Sequence, residues 1–323
     1  MPTRRAAVLS LAAMSIPPHL RAQENDFPNR PIRVIAPFPP GGATDLTARV
    51  IAEGLRRAWK QPGIVENRAG ASGIIGAVAA SNSPPDGYTL LLGSMSLHAI
   101  LPILDSKMGE AQKRLAPIGL IGTTPSYVLV PASLPVSTLG ELIAYVRANP
   151  GKYPYGSAGS GASQHIFSEQ VCRAAGIKMF HVPYKGSGAL MTDLIAGRVI
   201  MTAEQGPAAM PHILSGRIKP LAVLSKQRTH VLPNVPTAAE AGLPGFEATI
   251  WLSVFAPAGV PSPIVSKLNA EMARIVAQPD LRAQLTAVGI DPETESPHAL
   301  AERTRRDAQK YAELIRAADI RLE

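Results

Sequence analysis

Apolar positions along this chain follow two alternating rhythms: short β-branched runs, and stretches with a period of three to four residues. Ile32, Val34 and Ile35 form the first short run. After a proline- and glycine-rich turn over 37–42, Leu46, Val50, Ile51, Leu55, Ala58 and Trp59 recur at helical spacing, with Arg49, Glu53, Arg56 and Lys60 between them. This predicts a strand, a turn and a helix. Thr44 or Asp45 is the expected cap, because a short side-chain oxygen accepts a free first-turn N–H. A second strand is predicted over 64–66, a glycine-rich turn over 67–73, a small-residue helix over about 73–80, and a third strand over 88–92 ending at Gly93 and Ser94. Strands alternating with helices predict an α/β fold with a doubly wound parallel sheet and ligand loops at its C-terminal edge.

Residues 105–114 are polar and irregular and read as a surface loop. The apolar stretch 117–130 has little helical period and is long enough to cross from one domain into another. The second half repeats the strand, glycine turn and helix pattern without repeating the residues. It predicts a helix over 139–148, a strand over 153–156, a serine-glycine turn over 157–163 and a helix to about 175, stopped by Gly176. A strand over 179–182, a turn over 183–188, a helix carrying Leu190, Leu194 and Ile195, and a strand over 199–201 follow. A short helix over 208–214 and a strand over 221–224 complete this half. Residues 248–255 can cross back, and two helices, about 262–277 and 297–317, finish the chain.

At 323 residues, with 46% hydrophobic content, the chain can build two domains with proper cores. Residues 1–22 read as an export signal: Arg4 and Arg5, an apolar segment over 6–16, and Ala22 before the cleavage point. The arginine pair also suits the twin-arginine route. The apolar segment falls short of the roughly 20 residues a membrane span needs. Loss of Arg4, Arg5 and Arg21 with the signal takes 32 basic residues to 29 against 24 acidic ones, a net charge of +5. That excess is spread over helix faces, which suits an anionic small ligand. It forms no basic stripe with interleaved aromatics, so no nucleic-acid partner is expected. Cys172 is the single cysteine, which excludes an intramolecular disulfide. The seven histidines lack H-x-x-x-H or H-E-x-x-H spacing, so no metal site is expected. No phosphate-loop motif occurs, and the pairs Gly159/Gly161 and Gly186/Gly188 lack the third small residue of a dinucleotide fingerprint, so no cofactor is expected either.

Pro40, Gly41, Gly42 and Ala43, leading to Thr44 and Asp45, bring a strand end, a turn without bulk and a helix N-terminus together. The free N–H groups and the helix dipole make this an anion seat. The turn with Ser157, Gly159, Ser160, Gly161, Ala162 and Ser163 has the same form. Its serines near His165 would supply a nucleophile and a base, yet Ser163 and His165 are two apart and face different sides of a helix. The hydroxyls read better as donors beside the helix start. For His165 a hydrogen-bonded helix residue and a pocket residue both fit. Glu204, just past the 199–201 strand, either faces a cleft and accepts from a ligand amine or hydroxyl, or is a solvated carboxylate. Trp251 and Phe255, on the return crossover, either line the cleft or join the core.

Seven ordered blocks carry a family resemblance: P-I-R-V-I-A-P-F-P-P-G-G-A-T-D, V-E-N-R-A-G-A-S-G, P-D-G-Y-T-L-L-L-G-S, Y-G-S-A-G-S-G-A-S-Q-H, H-V-P-Y-K-G, L-P-N-V-P-T-A-A-E-A-G-L-P-G-F-E and W-L-S-V-F-A-P-A-G-V-P. From about Phe27 to the C-terminus the chain resembles the tripartite tricarboxylate transporter substrate-binding receptors, the periplasmic Bug proteins. The resemblance implies a two-domain periplasmic-binding-protein fold of type II, a Venus flytrap with two crossover strands and a small carboxylate in its cleft. It sets domain one at 23–124 and 249–323 and domain two at 125–248. It also implies that the loops 40–45 and 157–163, with His165, hold the carboxylate. Ser94 and the Tyr184, Lys185, Gly186 turn are secondary candidates. The chain departs from the family pattern over 105–114, at Ala203-Glu204-Gln205 where an aspartate is common, and at Ser253 where a glycine is common. The reading is a non-catalytic periplasmic receptor that presents a small organic carboxylate to a tripartite tricarboxylate permease or to a sensor protein. The alternative is a periplasmic serine hydrolase of a carboxylate ester, using a serine of the 157–163 turn and His165.

Overall fold

The computed structural model describes residues 27–321 apart from 247, 288 and 319; the expected export signal over 1–22 lies outside the described residues. The first β-branched run forms β1 (Ile32–Ala36), followed by α1 (Ala43–Trp59), β2 (Gly63–Asn67), α2 (Ile74–Ser81) and β3 (Thr89–Ser94). β1 lies between β2 and β3 and is parallel to both. Every residue of β3 is buried, which is why its leucines run on without alternation.

Beyond β3 the sheet is mixed and not all parallel. β9 (Thr249–Pro257) pairs antiparallel with β3, and β4 (Leu115–Pro131) pairs antiparallel with β9. The reason is topological: β4 carries the chain out of this sheet and β9 brings it back, so the two must run in opposite directions. β10 (Asp291–Pro292) pairs on the far side of β4. At 17 residues, β4 reaches about 55 Å at about 3.3 Å per residue. Its stretch Leu115 to Pro125 pairs with β9, and Ser126 to Pro131 pairs with β7 (Thr202–Gln205) and β8 (Ile218–Val223). One strand therefore serves two lobes of a two-domain α/β fold.

The second lobe adds β5 (Pro154–Ser157) and β6 (Phe180–Pro183), paired in parallel, with Tyr155 bridging to Met201 beside β7. Its helices are α5 (Leu139–Arg147), α6 (Ser163–Ala175), α7 (Ser187–Ile195) and α8 (Gly206–Leu214). Gly176 ends α6 in the left-handed conformation, as its position predicts. After β9, α9 (Ser262–Ala277), α10 (Pro279–Ala287) and α11 (Pro297–Ala318) return to the first lobe, α9 and α11 packing on β4 and α10 on α1.

Several local expectations are corrected. Residues 105–114 are not a loop: after α3 (Leu101–Leu104), α4 (Ser106–Lys113) follows, capped by Asp105, whose carboxylate accepts from the Met108 N–H at 2.8 Å. Met108 and Ala111, one helical turn apart, are its only fully buried residues. That stripe is too narrow to read among seven polar neighbours and a glycine. Helix α10 went unpredicted for the same reason, since its buried face is Leu281 and Leu285 alone. The strand expected over 199–201 is β7, three residues later, because register with β4 selects Thr202–Gln205. α1 is capped by Gly42, in extended conformation and without a side-chain cap, and not by Thr44 or Asp45.

Candidate functional site

Four helices start at the cleft between the lobes, and their N-cap residues are Gly42 for α1, Ala162 for α6, Gly186 for α7 and Gln205 for α8. None of the four receives a side-chain capping bond. Their positive dipole ends and first-turn N–H groups, one of which is missing at Pro207 in α8, are left to whatever fills the cleft. Gly42, Ala43 and Thr44 line it from the first lobe; Ala162, Ser163, Gln164, Ser187, Gly188 and Gln205 line it from the second. Pro39, Pro40, Ser94, Ser96 and the apolar Phe38, Ala158, Ile250 and Leu252 complete the wall. The walls enclose a narrow cavity of about 60 Å³ that opens to solvent between the lobes. No lysine, arginine, aspartate or glutamate is among these lining residues.

The first loop is held from behind by Asp45. Its buried carboxylate accepts from the Gly41 N–H at 3.0 Å, from Arg49 Nε at 3.1 Å and from Asn67 Nδ2 at 2.9 Å. Burial alone would raise its pKa, but the bonds from Arg49, Gly41 and Asn67 hold it below the usual carboxylate range. Gly41 sits at φ +93°, where a side chain would strain the backbone. A Cβ on Gly42 would meet no atom within 4 Å, so that glycine leaves the approach to the α1 N-terminus open.

The second loop rests on a histidine pair. Ser157, fully buried, donates to the Gly159 carbonyl at 2.9 Å and lies 2.6 Å from His181 Nε2. His165 accepts the Gly161 N–H at Nδ1 (3.2 Å), which places its own proton on Nε2. The two imidazoles stack with centroids 3.7 Å apart. Burial lowers the pKa of His165 to about 4, and burial together with the His165 charge lowers that of His181 to about 3. Both are therefore neutral at pH 7. Ser157 thus partners His181 and not His165, and Ser163 bonds to Gln164 and Gln205.

Of the residues named from sequence, Pro40, Gly42, Ala43, Thr44, Ser94, Ala162 and Ser163 line the cleft. Gly41, Asp45, Ser157, Gly161 and His165 shape it from behind, and Gly159 lines a neighbouring groove. Ser160 turns its carbonyl outward to accept from Ser72 Oγ across the lobes at 2.8 Å. Tyr184 and Lys185 lie outside the cleft, in a neighbouring groove beside residues 69–73; Tyr184 donates its hydroxyl hydrogen to Asp193 at 2.9 Å. Glu204 is neither solvated nor at the cleft surface. It is fully buried on β7 behind Gln164 and Gln205. Trp251 is turned into the core, where its Nε1–H donates to Asp307 at 2.7 Å, while its strand neighbours Ile250 and Leu252 face the cleft. Phe255 is also core, stacked 3.6 Å from His98. Sequence reasoning missed Gln164, Ser187, Gly188 and Gln205. The signal available was their place at the start of helices that follow strands.

The chain matches, over residues 47–320, the family described as tripartite tricarboxylate transporter family receptor. It is 34% identical over 323 residues to the protein BugT of Bordetella pertussis, covering 99% of each chain. Among solved structures it is similar to Rpa4515 of R. palustris with adipate, at 34% identity and a TM-score of 0.89 over 92% of this chain and 100% of that one. It is also similar to MatC of Rhodopseudomonas palustris with bound malate, at 31% identity and a TM-score of 0.84 over 90% and 100%.

Proposed function

Because this chain belongs to the tripartite tricarboxylate transporter receptor family, we propose that it is a periplasmic solute-binding receptor for one small organic carboxylate, which it delivers to the membrane permease of such a transporter. The observation that carries this reading is the convergence of four uncapped helix N-termini, from both lobes, on a cleft lined by no charged side chain. Each N-terminus is equivalent to about half a positive charge. Together with the Thr44, Ser94 and Ser163 hydroxyls they satisfy a carboxylate without a buried arginine. The adipate and malate in the similar structures are small carboxylates and support the same ligand class here.

The mechanism is closure of the lobes over the ligand. A carboxylate touching α1 on one side and α6 on the other binds the closed state better than the open one and so shifts the population towards it. Ser72 to Ser160 (2.8 Å) and Ser96 to the Gly161 carbonyl (3.4 Å) join the two lobes directly, and separation of the lobes would break them. The hand-over of β4 between sheets at Pro125 and Ser126 supports a first domain of 23–124 with 249–323 and a second of 125–248. The hydrolase alternative loses support, since the serine paired with a histidine is buried and already bonded to its own loop.

Small-angle scattering on the mature protein tests the closure. After refolding from denaturant to strip carried-over ligand, adding malate or adipate at millimolar concentration is expected to shrink the radius of gyration. An unchanged radius in the presence of a carboxylate shown by calorimetry to bind would contradict it.

A further inference from the structure

The second-lobe wall of the cleft is a lattice of neutral groups. Gln205 Nε2 donates to Ser163 Oγ at 3.2 Å, Ser163 Oγ donates to Gln164 Oε1 at 3.4 Å, and Gln164 Nε2 donates to Gln205 Oε1 at 3.2 Å. Behind this ring stands Glu204, with 0% of its surface exposed. Its Oε1 accepts from Gln164 Nε2 at 2.8 Å and from the Gln205 N–H at 2.9 Å. Its Oε2 is buried without a hydrogen-bond partner, although the Ser187 hydroxyl of the cleft wall lies beside it. On the elements packed against β7, the titratable groups are Tyr127 of β4, Tyr155 of β5, His165, Glu169, Cys172 and the exposed Arg173 of α6, and His212 of α8. None of them acts on Glu204, and burial pushes its pKa up. An ionised carboxylate here would be a buried charge with no counter-ion, next to a cleft that attracts anions.

We propose that Glu204 is kept as the neutral carboxylic acid, and that the receptor consequently takes carboxylates lacking an ammonium group and rejects the corresponding amino acids. The inference rests on the reading above, that the cleft binds a carboxylate. An amino acid would bring its ammonium group among four helix N-termini, whose positive ends repel it. No lining residue offers it a carboxylate. Asp45 is engaged by Gly41, Arg49 and Asn67 on the far side of the first loop. Glu204 could serve only by losing its proton and its bond to Gln164, with Gln164 moved aside. The neutral acid needs none of this: Oε1 remains an acceptor for both glutamines, and Oε2 carries a hydrogen beside Ser187.

Calorimetric titration of the refolded protein with matched pairs tests the selectivity: succinate with aspartate, glutarate with glutamate, adipate with 2-aminoadipate. At least one deamino acid is expected to bind about tenfold or more tighter than its amino partner. An amino acid that binds as tightly as its deamino partner overturns the inference and leaves the carboxylate reading standing. Failure of every acid, in both members of each pair, counts against the carboxylate reading itself. The protonation state is read separately, from the 13C carboxyl signal that disappears in Glu204→Gln. At pH 7 it should have the shift of an un-ionised acid, and the shift of a carboxylate overturns the inference. Should Glu204→Gln fail to fold, Glu204→Asp serves the same assignment.

Discussion

Asp45 lies next to the cleft and controls it without lining it. Its carboxylate fixes the Gly41 N–H, Arg49 and Asn67, and through them the turn that opens the α1 N-terminus. Asp45→Ala leaves those donors unsatisfied and is expected to cost about 1–3 kcal/mol of stability in urea unfolding, with weaker carboxylate binding. The stability that Asp45 supplies is full above the ordinary value of 3.8 and is lost as pH falls through its lowered folded-state value. The stacked histidines act in a higher window. The unfolded chain protonates them from about pH 6.5 downward, the folded protein only near 4 for His165 and 3 for His181. Stability should therefore be full above about pH 6.5 and fall steadily on acidification towards those values. Melting temperatures across that range check this, and His181→Gln should flatten the slope. These roles were only half legible in the sequence. Ser157 and His165 stood out as loop residues, but the pairing of Ser157 with His181 joins residues 24 positions apart, across β5 and β6. For Trp251 the sequence left cleft and core both open, because all but the first residue of β9 is buried and its alternation does not separate the two faces.

At the scale of elements, the strand, turn and helix units were legible because each carries its own period and its own glycine stop. Helices α4 and α10 were not, since each rests on two buried residues. The Asp105 cap gives α4 a definite test: Asp105→Ala should lower stability by about 1 kcal/mol, read from the denaturation midpoint. The turn between β2 and α2 has a role that periodicity could not announce. Gly70, Ala71, Ser72 and Gly73 all have positive φ, of 131°, 46°, 54° and 98°. This strained run lifts the Ser72 hydroxyl to the Ser160 carbonyl, and a Cβ on Gly159 would come within 2.7 Å of that hydroxyl. Ser72→Ala is expected to weaken ligand affinity about two- to tenfold, chiefly through faster dissociation, since it removes one bond of the closed state. Stopped-flow dissociation checks this, and an unchanged rate would show that the contact contributes nothing to closure.

Across the whole molecule, one 17-residue strand and one returning strand join two lobes whose helix N-termini meet at a single cleft. The sequence pattern pointed to two α/β halves, and its seven blocks pointed to the family. It could not show that the α7 and α8 N-termini join those of α1 and α6, because that convergence exists only once the lobes are packed. The central claim is that these N-termini capture a carboxylate. The most direct test is thermal melting of the refolded, ligand-free protein against mono-, di- and tricarboxylates, each beside its neutral amide. A ligand at about 100 times its dissociation constant should stabilise the protein by roughly 2.7 kcal/mol, a shift of several degrees, while its amide gives none. Equal shifts for an acid and its amide, or no shift with any acid, would contradict the account.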